Sequence, residues 1–230
     1  MKDSISVIIC AYNEAKSIET AIQDVVNTVG KTVSDYEVVV VDDGSTDQSG
    51  KIAERNARNN KKIKVIHHQR NLGFGRAFRT GINGSSKNYL AGYPSDCDLP
   101  IENFKEIISK RSEADIVTSY LTNMSDRPVF RKLYSESFTK IVNLLFGLNL
   151  KYFNGYFIAR ADKLKGLNLK SEGFTLFAEI KIKLLKKSAS IKEVPILFAP
   201  RKYGASKALT VKSITQAVKI IPKLIRDVYF

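Results

Sequence analysis

The chain has 230 residues, enough for one sizeable domain or one domain with a small appendage, and its 43% hydrophobic and 26% charged content is ordinary for a soluble globular protein. Two cysteines, Cys10 and Cys97, exclude a disulfide framework and have no metal-type spacing, which fits a reducing cytoplasm. The net charge of +14, with a pI near 9.7, favours anionic partners: nucleic acid, an anionic membrane or a phosphorylated substrate.

Residues 4–12 (SISVIICAY) form a short run rich in Ile and Val, the pattern of a strand buried on both faces. The run is too short to span a membrane and lacks the basic start and small-residue cleavage site of a signal peptide. Over 15–29 the apolar residues Ile18, Ala21, Ile22, Val25, Val26 and Val29 recur at helical spacing. A second buried strand is expected at 37–41, then a loop at 42–46, with Ser45 or Asp47 capping a helix at 48–59. A third strand at 63–67 precedes the loop 71–74 and a helix at 75–84. The fourth strand, 89–93, runs into Pro94 and Ser95, and a helix at 101–111 and a fifth strand at 114–120 follow. Alternation of this kind calls for a mostly parallel, Rossmann-like α/β sheet with helices on both faces.

Later elements are a helix at 131–146, strands at 156–159 and 191–199, a helix at 175–187 and a basic loop at 200–207. We divide the chain into a domain at 1–207 and a basic amphipathic helix at 208–230. On that helix Val211, Ile214, Val218, Ile221, Ile225 and Val228 share one face, opposite Lys212, Lys219, Lys223 and Arg226. Such a helix suits a membrane surface, or it docks on the core with solvated lysines and a kink at Pro222. Between 181 and 230 the only acidic residues are Glu193 and Asp227, so the positive charge is concentrated late.

The candidate chemistry sits where the strands end. Asp96 and Asp98 follow the fourth strand, at the carboxyl edge where open α/β sheets bind ligands. Two nearby carboxylates suit Mg²⁺ or Mn²⁺ shared with phosphate oxygens, although an acidic surface turn is the plainer reading of D-x-D alone. Asp42-Asp43-Gly44-Ser45 ends the second strand, where carboxylates can accept hydrogen bonds from a base or ribose, or simply make a turn. Asn71–Gly75 places two glycines ahead of a helix, a weak phosphate-cradle signal, with Arg70, Arg76 and Arg79 beside it. His67 and His68 point to opposite faces of a strand and are expected to have no catalytic role.

The order of these pieces is more specific than any one of them. Ala11-Tyr12-Asn13-Glu14, Asp42-Asp43-Gly44-Ser45-Thr46-Asp47, Asn71-Leu72-Gly73 and Asp96-Cys97-Asp98 follow successive strands. Over residues 4 to about 207 the chain resembles the family 2 inverting glycosyltransferases of GT-A fold. The resemblance implies a UDP- or GDP-sugar donor across the sheet edge, with the base near Tyr12, Glu14 and Asp42 or Asp43. It also implies a divalent metal at Asp96 and Asp98, bridging the diphosphate. Gly173-Phe174 with Glu179, Glu193-Val194-Pro195-Ile196 and Arg201-x-Tyr203-Gly204-x-Ser206-Lys207 look like the polyprenyl-phosphate branch, typified by dolichol-phosphate mannosyltransferase. That likeness implies phosphate contacts from Arg201 and Lys207 and, less directly, from Arg131 and Ser135. The chain departs from the branch at Pro100, where Gln is usual, and at Lys151 and Asn154-Gly155-Tyr156.

A hydroxyl acceptor needs a general base, and Glu179 is the first candidate, Glu172 the second. A phosphate monoester needs none, because its second pKa is about 6. The expected acceptor is therefore a polyprenyl phosphate or other anionic lipid, met at a membrane surface by a cytoplasmic protein held peripherally on the inner face. Transfer to a saccharide or lipid hydroxyl is the alternative. A non-catalytic nucleotide- or nucleic-acid-binding module is a third reading, but no nucleic-acid partner is expected without an aromatic-plus-basic sheet signature. An NAD-linked oxidoreductase is disfavoured because no glycine fingerprint follows the first strand.

Overall fold

The computed structural model describes residues 3–123, 129–173, 175–197 and 211–229, with the backbone alone for 211–218. Its elements are β1 (Ser4–Ala11), α1 (Ile18–Thr32), β2 (Asp35–Asp42), α2 (Ser49–Asn59), β3 (Ile63–His67), α3 (Phe74–Gly84), β4 (Tyr89–Gly92) and α4 (Ile101–Ser109). They continue with β5 (Ile116–Leu121), α5 (Val129–Phe146), β6 (Phe157–Arg160), α6 (Ala161–Lys165), α7 (Leu176–Lys186), β7 (Ile191–Ile196) and α8 (Val211–Tyr229). The strands form one seven-stranded sheet in the order β3-β2-β1-β4-β6-β5-β7.

The expected α/β alternation is present, with one reversal. β6 runs antiparallel to both β4 and β5, whereas the other pairings are parallel. The carboxyl ends of β1, β2, β3 and β4 therefore open on one edge, where the acidic loops lie. Alternate residues of β1 explain the two layers. Ile5, Val7 and Ile9 pack with α1 and α4 on one face, and Ile8 packs with Phe78 of α3 and Ile180 of α7 on the other. Each such side chain taken from water contributes about 2–3 kcal/mol.

Phe177 lies at the centre of an aromatic group, with ring centroids 5.5 Å from Phe74, 5.3 Å from Phe78 and 5.0 Å from Phe157. It presses α7 onto α3 and β6.

Helix α1 begins at Ile18, later than the expected residue 15, because side chains downstream of β2 occupy the preceding backbone N–H groups. Asn13 N–H donates to Ser45 Oγ (3.0 Å), Glu14 N–H to Ser49 Oγ (2.7 Å) and Ala15 N–H to Asp47 Oδ2 (3.1 Å). Helix α2 has Gln48 at its N-cap with no side-chain cap, so neither Ser45 nor Asp47 occupies that position; Asp47 instead accepts from Ser49 N–H at 2.9 Å.

The C-terminal helix docks on the core. It runs through Pro222 as one helix, and among its described side chains Ile220 and Leu224 are the most buried, packed in a cluster with Val142, Phe146, Ala178 and Ile182. Asp227 adds ion pairs to Lys170 at 2.7 Å and Lys183 at 3.1 Å.

Candidate active site at the carboxyl edge of the sheet

The loops after β1 and β2 form one unit. Asn13, at φ 55°, turns the chain, and its side-chain carbonyl accepts from Thr46 N–H at 2.8 Å. Gly44, at φ 71°, lets the β2 loop lie against the next one, since a Cβ there would sit 2.4 Å from the Arg70 carbonyl carbon. Ala11 is buried at the end of β1, and Tyr12 stands 38% exposed just beyond it.

The paired aspartates divide their work. Asp43 is 3% exposed and is used internally. Its Oδ1 accepts from Leu72 N–H (2.9 Å) and contacts His68 Nδ1 (2.7 Å), while Oδ2 accepts from Gly73 N–H (2.8 Å). It holds the Asn71-Leu72-Gly73 loop in place. Asp42, the other acid expected near a base, is 6% exposed. Asp42 accepts from Ser45 N–H at 3.1 Å, meets His67 Nδ1 at 2.9 Å and lines an open depression of about 550 Å³.

The histidines have partners in the fold that sequence reasoning did not supply. His67 bridges Asp42 and Glu54, each 2.9 Å away, and His68 bridges Asp43 and Thr80 at 2.7 and 3.0 Å. The parallel register sets Asp42 opposite His67, a pairing across strands that the linear spacing does not reveal. Bonding to Glu54 raises the His67 pKa, against a lowering by burial and with further help from Asp42. Burial, and then the charge of Asp43, push the Cys10 thiol far up, which disfavours its thiolate.

Asp96 and Asp98 lie half-buried in the turn after β4, and Asp96 Oδ1 accepts from Asp98 N–H at 3.2 Å. Cys97 between them takes φ 56° and sends its thiol to the Ser17 carbonyl, 3.9 Å away. Among the described residues no cluster of three or more His, Cys, Asp or Glu side chains surrounds a metal position. Two hard carboxylate donors at a ligand-binding edge fit Mg²⁺ or Mn²⁺ whose other positions go to phosphate and water.

The Asn71–Gly75 loop is packed tightly at its Gly75 end. A Cβ on Gly75 would lie 2.2 Å from the Ser171 carbonyl oxygen, and Gly75 N–H donates to the Glu172 carbonyl at 2.9 Å. The backbone at 171–172 therefore approaches where a phosphate cradle was considered. Arg79 donates to the Ser171 carbonyl (2.6 Å), and Arg76 pairs with Glu172 (3.2 Å). Arg70 and Asn71 are exposed at the edge.

Glu179, the first candidate for a general base, is 0% exposed. Its Oε1 accepts from Lys170 N–H (2.9 Å) and Lys183 Nζ (2.8 Å), and its Oε2 accepts from Ser171 N–H (2.7 Å). Its oxygens serve the 170–171 backbone and Lys183, an arrangement that does not favour the expected role as a base. Arg131 is half-buried in the first turns of α5 and Ser135 is 7% exposed one turn later. Arg201 and Lys207 lie outside the described residues.

A sheet of this topology with acidic loops at its carboxyl edge is that of a GT-A glycosyltransferase. The chain belongs to glycosyl transferase family 2, whose pattern matches residues 6–166. It is 28% identical over 211 residues to an undecaprenyl-phosphate mannosyltransferase of Micrococcus luteus, covering 87% of this chain and 85% of that one. It is also 28% identical over 230 residues to a dolichol-phosphate mannosyltransferase of Pyrococcus furiosus, covering 96% of this chain but 64% of the longer relative. A similar solved structure is glucosyl-3-phosphoglycerate synthase from Mycobacterium tuberculosis in complex with Mn²⁺, UDP-glucose and phosphoglyceric acid. Its TM-score is 0.71 at 17% identity, covering 97% of this chain and 80% of that one, a likeness of fold.

Proposed function

We propose that this glycosyltransferase moves a sugar from a UDP- or GDP-sugar to a polyprenyl phosphate, with inversion at the anomeric carbon, at the inner face of the cytoplasmic membrane. The observation that carries the choice of acceptor is the burial of Glu179 at 0% exposure, its oxygens on backbone amides and Lys183. An ionised phosphate monoester attacks without giving up a proton, so a fold that commits this carboxylate elsewhere suits it. The names of the two relatives, which match over 87% and 96% of this chain, support the same reading.

In this scheme Tyr12, Glu14 and Asp42 hold the base and ribose, and Asp43 fixes the loop carrying Arg70, Asn71 and Gly73 against the donor. Asp96 and Asp98 hold Mg²⁺ or Mn²⁺, which when bound offsets the charge that builds on the departing nucleoside diphosphate. Arg131 and Ser135, with Arg201 and Lys207, hold the acceptor phosphate. The acceptor oxygen forms its bond to the anomeric carbon as the bond to the diphosphate breaks on the opposite side.

Incubation with radiolabelled UDP- and GDP-sugars, Mn²⁺ and undecaprenyl phosphate tests the reading. Label is expected in an organic-extractable, acid-labile lipid. Consistent recovery of label in water-soluble saccharide instead, or no product with any donor, overturns it.

A further inference from the structure

Among the described side chains of α8, Ile220 and Leu224 are spent on the core and are not an apolar surface for a membrane to meet. Helix α5 presents one. Val129 (82% exposed), Phe130 (66%), Leu133 (61%), Ile141 (49%), Leu144 (84%) and Leu145 (38%) are its large apolar residues open to solvent. At 3.6 residues per turn they occupy one arc of about 160°, while Phe138, Val142 and Phe146 turn the other way into the core. An apolar arc this long on a surface helix marks an interaction site.

Charge identifies what the site meets. Exposed Lys140 lies within the arc, and Lys132 and Arg131 stand at its two borders, with Glu136 the one acid of the helix. At the C-terminal end of α5, Tyr229 of α8 stacks on Phe146 at 6.2 Å and Lys186 lies 4.9 Å over the Tyr229 ring. The exposed Lys219, Lys223 and Arg226 belong to that same α8. In a chain of net charge +14, an apolar stripe edged by cations complements the hydrocarbon boundary and anionic headgroups of a bilayer.

We infer that α5 lies in the headgroup layer of an anionic membrane, with Val129, Phe130, Leu133, Ile141, Leu144 and Leu145 inserted and Lys132 and Lys140 on lipid phosphates. The inference rests on the lipid-acceptor reading and gives it a surface. Arg131 and Ser135 are on the same helix, so burial of α5 would bring the acceptor phosphate and these residues to one depth. Among the described residues no helix is long and apolar enough to cross a membrane, and a helix lying in the interface needs none.

The test is cosedimentation of the full chain with vesicles of phosphatidylglycerol and phosphatidylcholine, without donor or acceptor. The wild type should partition onto anionic vesicles and release toward pure phosphatidylcholine or 1 M NaCl. Val129→Asp and Leu144→Asp sit at opposite ends of the stripe and, being more than 80% exposed, have almost no packing to lose. Each should lower partition about tenfold or more with an unchanged circular dichroism spectrum. Leu144→Asp should keep its transfer rate on detergent-solubilised polyprenyl phosphate. Variants that partition like the wild type, or a wild type that ignores anionic vesicles, overturn the inference. So do variants that convert a dimer to a monomer in sedimentation equilibrium without changing partition, since the face would then join two copies. Vesicle binding with no transfer to any lipid phosphate would remove the proposed reaction and leave the surface standing.

Discussion

Around β1 and β2 the loops are closed by short polar bonds, while around α5, α7 and α8 apolar packing and buried charges hold the elements together. On the first side Asn13, Asp42, Asp43, Ser45 and Ser49 tie one loop to the next, at 2.7 to 3.1 Å. On the second, Phe177, Leu224 and Val142 are packed, and Glu179, Lys183 and Asp227 form a chain of charges. The loops of the proposed donor side are thus tied to one another by the fold itself, as electrostatic stabilisation of a leaving diphosphate would require. The other side places α5 with one face in the core and one in solvent, which suits an acceptor that arrives with a lipid.

The largest expected effect separates chemistry from scaffold on the donor side. Asp98→Asn should lower kcat about 10²–10³-fold with little change in melting temperature, measured on purified protein with saturating donor and Mn²⁺. Asp43→Ala should instead lower the melting temperature and weaken donor binding, because Leu72 N–H and Gly73 N–H lose their acceptor. If the two variants behave alike, the division between Asp43 and Asp98 is wrong.

Packing on the opposite side is probed by Phe177→Ala, which should cost about 3–5 kcal/mol in urea denaturation. A smaller effect with a pH signature comes from Lys181, 0% exposed, whose ammonium nitrogen donates to the Phe153 and Gly155 carbonyls at 2.7 Å each. Burial drives its pKa well below the ordinary lysine value of 10.5, against a weaker opposing pull from Glu193. The unfolded chain therefore holds more protons than the folded one between that lowered pKa and 10.5, and wild-type stability rises with pH across this window. Lys181→Met should cost about 1–3 kcal/mol near pH 9, by stranding two carbonyls, and less near pH 6. Parallel stability curves for the two proteins would contradict this.

Glu179→Gln should cost a similar 1–3 kcal/mol, by breaking the Lys183 pair and turning its NH2 group toward one of the two backbone N–H donors, yet keep kcat within about threefold. A fall of a hundredfold at unchanged stability would restore Glu179 as a base. The smallest effect is expected at His67, whose raised pKa adds stability below 6.5 that is lost as pH rises through the higher folded value. His67→Ala should flatten that slope in thermal melts.

Much of the donor side is legible in the sequence because buried parallel strands are short apolar runs and turn residues follow them at once. Val38–Val41 and Ile5–Ile9 can hardly be anything else. What is not legible depends on contacts across the fold. The reversed β6 has the same composition as a parallel strand, and its direction follows from the return path after α5. Asp42 and Asp43 are adjacent and alike in sequence, and only the register with β3 and the loop beyond it gives one to the depression and the other to Leu72 and Gly73. Glu179 reads as a candidate base until the turn at 170–171 is seen to occupy it. The amphipathic pattern of α8 predicts a buried face equally for membrane and core, and Asp227 decides for the core by pairing with Lys170 and Lys183.

The most direct measurement compares initial rates with undecaprenyl phosphate and with undecaprenol, at equal concentration in one detergent, using the donor that labels lipid. Transfer to the phosphate with none above background to the alcohol is the predicted result. Equal or faster transfer to the alcohol would contradict the account, because the fold would then have to supply the base that Glu179 does not provide.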